Sequence, residues 1–179
     1  MPTILSHAAV PIALAVAVAP RIPGRLLLAG IALSMLPDLD VLAFKLGIPY
    51  ASPFGHRGFS HSLLFAALCA ALLATCLRTA ELRWPRVFAY LFVAMASHGL
   101  LDSLTSGGLG PALLWPFSSE RIFAPLQPIA VSPIGVAPMF SARGWAVLQS
   151  ELQWVWAPAL LAAWLWRGLT RFGRTGETR

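Results

Sequence analysis

Charge is what this sequence has least of. Asp, Glu, Lys and Arg together make up 11% of its 179 residues, against 58% hydrophobic residues. A water-soluble domain carries roughly 25% charged residues. With a mean hydropathy of +0.72, the surface is too apolar for water, and the solvent must be lipid. The few acids leave a net charge of +6. In a soluble protein that excess would suggest nucleic acid. Here the basic residues cluster between apolar runs and in the tail, where they orient the chain and meet anionic headgroups. No nucleic-acid partner is expected. Cysteine is almost missing. Cys69 and Cys76 share one apolar run, two helical turns and about 10 Å of rise apart, beyond disulfide reach. They read as small apolar residues. There is no internal repeat and no low-complexity linker, so one integral membrane domain over 1–179 is expected.

What the chain does have is five apolar segments: Ile4 to Ala19; Leu26 to Leu36 with a continuation from Val41 to Leu46; Phe59 to Leu77; Val87 to about Leu104; and about Leu152 to Trp166. The expected fold is all-α, a polytopic helical bundle of four to five membrane segments. Spanning the hydrocarbon core takes roughly 20 residues. The third and fourth segments meet that, while the first, second and fifth are short and would be tilted or partly immersed. The first segment has no basic residues before it, so it reads as a mature helix rather than a signal peptide. A Pro/Gly-rich loop over 106–150, carrying Trp115 and Phe117, precedes the last membrane segment at 151–167. A basic tail follows at 168–179.

Lys and Arg set the orientation. Arg21, Arg25, Arg78, Arg83, Arg86, Arg167, Arg171, Arg174 and Arg179 fall on one side, nine of the 13 basic residues. Lys45, Arg57, Arg121 and Arg143 fall on the other. The positive-inside rule then puts the C-terminal tail in the cytoplasm and the N-terminus outside.

Ionisable groups in apolar spans are costly and are functional candidates by default. The motif-bearing core, 1–105, holds them. His7 stands near the start of segment one. Asp38 and Asp40 follow Pro37 at the end of segment two. His56 and His61 lie in His56-Arg57-Gly58-Phe59-Ser60-His61-Ser62 at the start of segment three. His98 and Asp102 close segment four. Under this topology all seven lie at the outer face, although the orientation came from Lys and Arg alone. The sequence has only 4 histidines, and all of them fall in these motifs.

The spacings suit metal ligands. His98 and Asp102 are i, i+4 on one helix face. A break at Pro37 would leave both nearby carboxylates free to turn inward. His56 and His61 would converge only if His56 lies in the loop and His61 in the first helical turn, with Ser60 placed to cap it. Imidazole with carboxylate suits Zn²⁺, with Mn²⁺ or Fe²⁺ as alternatives. The candidate metal ligands are His7, Asp38, Asp40, His56, His61, His98 and Asp102. A metal there would activate water for hydrolysis. Asp38 or Asp40 would serve as general base, and Arg57 would clamp a phosphate or carboxylate of the substrate. The expected substrate is a phosphoester or phospholipid.

Each residue also has an ordinary reading. His7 is an interfacial histidine, Asp38 a cap after Pro37, His98–Asp102 a structural hydrogen bond, and Arg57 a headgroup anchor. The joint reading then becomes a non-catalytic membrane protein whose cluster is a structural metal or packing site. An ion or proton pathway is a third reading. It would need ionisable residues through the other halves of the spans, which carry almost none.

At these residues the sequence resembles the YdjM-type family of membrane-bound metal-dependent hydrolases. The matching features are Ser6-His7, Leu36-Pro37-Asp38-Leu39-Asp40, the run from His56 to Ser62, and His98-Gly99-Leu100-Leu101-Asp102. The His-Arg-Gly-x-x-His-Ser string is the most specific. The resemblance implies a helical protein of the bacterial inner membrane. The order of His7, Asp38 or Asp40, His61, and His98 with Asp102 is also similar, more faintly, to zinc-dependent phospholipase C and P1-type nucleases. No histidine follows His98, so one or two metals are expected rather than three.

Overall fold

The structure is a computed structural model that describes residues 1–18, 21–133, 135 and 137–175. Among the described residues there is no β-strand, only one isolated bridge between Thr105 and Ile129. The expected all-α class is therefore observed.

A short 3₁₀ turn at Ser6–Ala8 leads into α1 (Ala9–Val18). Ala19, the expected end of the first segment, lies outside the described residues. Pro23 sits in extended backbone and starts α2 (Gly24–Met35). The expected Pro-Asp break is not a break. Leu36–Val41 forms a 3₁₀ turn that joins α2 to α3 (Leu42–Lys45). Proline is tolerated there because a first-turn N–H has no intrahelical partner to lose. The result is a helical stretch, Gly24–Lys45, of 22 residues, long and apolar enough to cross a membrane. The second segment, expected to be short, thus supplies the long stretch, whereas Leu63–Leu77 in segment three, expected to be long enough to span, is a shorter apolar helix, as is Ser6–Val18.

α4 (Leu63–Leu77) begins at Ser62, whose hydroxyl accepts from the Phe65 amide at 3.1 Å. The cap is thus Ser62 and not Ser60. α5 (Trp84–Ser103) carries Pro85 in its first turn. The stretch expected to be loop up to residue 150 contains a helix, α6 (Ala142–Glu151), capped by Ser141. A π-helical turn at Leu152–Trp156 joins α6 to α7 (Ala157–Thr175). The expected basic tail therefore begins inside α7, and residues 176–179 lie outside the described residues.

α5 is central. It packs against α4 and α2, and α1 packs against α7. On α4, Ala66, Ala70 and Ala74 are at most 2% exposed and face α5, while Leu68 and Leu72 are 59% and 72% exposed. A soluble helix would turn its leucines inward. Small residues at the helix contact with large apolar ones outside is the pattern of helices packed in lipid, where close backbone approach replaces the hydrophobic drive. α7 likewise exposes Leu161, Trp164, Trp166 and Leu169.

The segment between α5 and α6 closes one end of the bundle. The Ala112 and Leu63 amides donate to the carbonyls of Arg57 and Leu113, and the Ala124 amide donates to Ser103. Ala112 and Ile129 are at most 1% exposed. Under this cover lie the polar residues singled out above.

Candidate metal centre

Five of the seven expected ligands meet in one buried space, and the reason is local in each case. His7 stands on the turn before α1. His98 and Asp102 share a face of α5. His61 ends a 3₁₀ turn, Phe59–His61, just before α4. Gly99 lets that turn approach. A Cβ at Gly99 would lie 2.7 Å from the His61 carbonyl oxygen and 2.7 Å from Leu113 Cδ2. Asp38 comes from the 3₁₀ turn after α2.

The donors converge closely. His61 Nε2 and His98 Nε2 lie 3.0 Å apart. Asp102 Oδ2 lies 3.2 Å from His61 Nε2 and 3.9 Å from His98 Nε2. Asp38 Oδ1 lies 3.5 Å from His98 Nε2. His7 Nε2 lies 3.8 Å from Asp38 and 3.7 Å from Asp102. The His7 ring stacks on His98 with centroids 3.6 Å apart. Two overlapping donor sets emerge: His7, His98 and Asp102; and Asp38, His61 and His98. Metal–ligand bonds of about 2.0–2.2 Å imply tetrahedral edges of roughly 3.3–3.6 Å. The observed separations bracket that range.

Tautomer logic sharpens the fit. Pro37 has no N–H to return to Ser34, three residues back in a 3₁₀ turn. The Ser34 carbonyl instead accepts from His98 Nδ1 at 2.7 Å. A carbonyl only accepts, so Nδ1 carries the proton and Nε2 presents its lone pair to the centre. His61 Nδ1 faces Asp40 Oδ2 and its Nε2 faces Asp102 Oδ2, each at 3.2 Å; with the proton on the Asp40 side, Nε2 offers its lone pair to the centre. In that tautomer two imidazole lone pairs face each other beside two carboxylates. Neither His7 nitrogen and none of the four oxygens of Asp38 and Asp102 has a hydrogen-bond partner. Buried polar atoms are rarely left so. Three carboxylates stand against one guanidinium, so with neutral histidines the cluster carries an excess of two negative charges. A divalent cation held by His7, Asp38 and Asp102 would give each of these side chains a partner and offset the charge. The buried His and Asp groups are positioned to bind a metal.

Asp40, His56 and Arg57 stand behind this centre and belong to neither donor set. In a 3₁₀ helix, residues two apart project about 120° apart, so Asp38 and Asp40 diverge. Asp40 accepts from Ser60 Oγ at 2.6 Å and from the Arg57 amide at 3.0 Å, and pairs with His56 Nδ1 at 2.5 Å. It thus orients His61 and ties down His56. Arg57 is fully buried. Its guanidinium donates to the carbonyls of Gly107 (3.2 Å) and Leu109 (2.7 Å) and to Thr105 Oγ1 (3.0 Å). Its Nε lies 3.2 Å from Asp102 Oδ2, an ion pair without hydrogen-bond alignment. Burial pushes the Arg57 pKa down, and Asp102 opposes the shift. Arg57 also holds a left-handed backbone, φ 61°, which costs a non-glycine residue about 1–3 kcal/mol.

Sequence reading missed three supports. Arg121 donates to the carbonyls of His56, Arg57, Tyr50 and Ser52 and clamps the loop that bears His56. Thr105 holds Arg57. Glu151, 2% exposed, accepts from the Thr3 amide and from the Thr3 and Ser6 hydroxyls. Trp156 Nε1 donates to Ser6 Oγ at 3.0 Å. This clasp fixes the turn that presents His7. The signal for Glu151 was a lone acid one residue ahead of the last apolar segment.

A lipid-packed helical bundle with a buried His/Asp cluster at one end defines a class of membrane protein. The chain belongs to the family described as YdjM inner membrane protein, whose model matches residues 1–174. It is 47% identical over 173 residues to inner membrane protein YbcI of Escherichia coli K12, covering 93% of this chain and 98% of that protein. It is 33% identical over 100 residues to uncharacterized protein YvsG of Bacillus subtilis, covering 52% and 58% of the two chains. It is 38% identical over 92 residues to inner membrane protein YdjM of E. coli K12, covering 46% and 44%. No solved structure matches the chain. The family supports a place in the bacterial inner membrane.

Proposed function

We propose that the protein is a multi-pass inner-membrane, metal-dependent hydrolase of about five membrane segments. Its buried cluster faces the periplasm and its tail the cytoplasm. The convergence of the unpartnered atoms of His7, Asp38 and Asp102 with the lone pairs of His61 and His98 carries this reading. These five residues hold the ion, Zn²⁺ by donor type, with Mn²⁺ or Fe²⁺ as alternatives. A divalent cation there supplies Lewis-acid polarisation of water and of a phosphoryl oxygen. Asp40 fixes the His61 tautomer through Nδ1, as carboxylates behind metal-bound histidines do. Arg57 neutralises and orients Asp102 rather than gripping substrate, because its donors are directed to Thr105, Gly107 and Leu109. Asp38 is the carboxylate placed to accept a proton at the centre, with both oxygens free of other partners. The substrate class is a phosphoester, with lipid-linked phosphoesters favoured by the membrane setting.

One observation favours a second reading, a structural metal site in a non-catalytic protein. His7, Asp38, His61, His98 and Asp102 are all at most 3% exposed. Metal analysis of the detergent-purified protein tests the shared premise. Stoichiometric transition metal is expected in the wild type, with loss in His98→Ala and His61→Ala. Metal-free wild-type protein after metal-supplemented growth would sink both readings. Phosphodiester and phospholipid hydrolysis with added Zn²⁺ or Mn²⁺ separates them. Turnover abolished by His98→Ala supports the enzyme, and bound metal without turnover supports the structural site.

A further inference from the structure

A second site lies at the opposite end of the bundle. The C-terminal half of α1, the start of α2 and the first half of α5 enclose a cleft of about 1090 Å³. His7, Asp38 and His98–Asp102 occupy the other ends of these same elements, so the cleft is separate from the metal centre. Small-molecule pockets usually measure about 300–1,000 Å³, so this one lies at or above the upper end. Leu14, Leu26 and Val93 form its walls, and its rim carries Arg21, Arg25 and Arg86 against one acid, Glu81. All three arginines are exposed. Tyr90 lines the interior, but its hydroxyl already donates to the Pro11 carbonyl at 3.1 Å. The interior therefore offers apolar surface, and the charged groups are confined to the rim, where three cations face one anion.

From this we infer that the cleft binds an anionic phospholipid, with acyl chain against Leu14, Leu26 and Val93 and phosphate at Arg21, Arg25 and Arg86. The charge pattern selects that occupant. Zwitterionic lipid would place its own cation against three guanidiniums, and a soluble anion would leave the apolar walls unfilled. Guanidinium forks match phosphate oxygens bidentately, and basic pockets between membrane helices are suited to anionic headgroups. The inference stands whether or not the opposite end holds a metal.

Native mass spectrometry of the full-length detergent-solubilised protein tests it, with phosphatidylglycerol or phosphatidylcholine of matched acyl chains added. Retention of phosphatidylglycerol over phosphatidylcholine is expected. Affinity should fall by roughly fivefold for each arginine changed to alanine among Arg21, Arg25 and Arg86. Arg78→Ala and Arg83→Ala, at exposed positions outside the cleft, should leave retention unchanged. Equal retention of both lipids, or equal loss in the control variants, would overturn the proposal. So would full displacement of the lipid by inorganic phosphate alone, which would make the site a simple anion site. If one of the three variants aggregates, the other two are read by the same criteria.

Discussion

Arg57 concentrates several costs in one residue. It is buried, charged and left-handed at the backbone. Such a conformation persists only where its surroundings over-determine it. Here Thr105, Gly107 and Leu109 hold the guanidinium, Arg121 holds the Arg57 carbonyl at 2.5 Å, and Asp40 accepts from its amide. Arg57→Ala should lower stability by about 3–5 kcal/mol, because it breaks a buried ion pair with Asp102 and removes the donors to Thr105, Gly107 and Leu109. Arg57→Lys should recover only part, since an ammonium cannot reproduce the fork. Reversible unfolding in mixed micelles reads both variants. Equal stability of all three proteins would show that the guanidinium contacts are idle. The sequence marked Arg57 as unusual, but its role could not be read there. Its partners lie some fifty residues away on a loop whose path no periodicity encodes. The same holds for Asp38 and Asp40. Their closeness in sequence suggested equivalence, whereas a 3₁₀ turn in place of a break sends them to different sides of His61.

At the scale of elements, α5 and α4 were the most legible. The i, i+4 pair of His98 and Asp102 needs only helical geometry, and segments three and four overlap the observed helices, although α4 starts only at Leu63 and is shorter than the span expected of segment three. α6 was hidden because its sequence, Ala142–Glu151, carries Arg143, Gln149 and Glu151 around a short apolar run, Trp145–Leu148. Glu151 was overlooked with it. Gly99 gives a test of how tightly the elements meet. Alanine is intrinsically favoured over glycine in a helix by about 0.5–1 kcal/mol. The 2.7 Å approach of a Cβ to the His61 carbonyl oxygen is a larger opposing effect, because the neighbour is backbone and cannot rotate away. Gly99→Ala should therefore lose metal while keeping its helical circular dichroism. Wild-type metal content in this variant would mean that the His61 turn can move without consequence.

For the whole molecule, composition alone placed the chain in lipid, and the outward leucines of α4 agree with that. The number of crossings was less legible. Hydropathy marks apolar length but not whether a short helix crosses, and among the described residues one helical stretch, Gly24–Lys45, meets the length and composition together. The proposed five-segment topology has a direct test at Ser106, an exposed residue just beyond α5. In a background with Cys69 and Cys76 replaced by alanine, Ser106→Cys should react with a membrane-impermeant maleimide added to the periplasmic side of spheroplasts. Reaction only after the membrane is opened would reverse the assigned orientation.

The clasp of Thr3, Ser6, Glu151 and Trp156 joins residues about 150 positions apart in sequence. A ribosome makes the Ser6–His7 turn first and its anchors last. The centre therefore cannot reach its final shape on a partly synthesised chain. His7 enters the membrane without its support, and the site closes only when the last helix arrives. A truncated product that lacks α6 and α7 would leave the Ser6–His7 turn without the side chains that fix it.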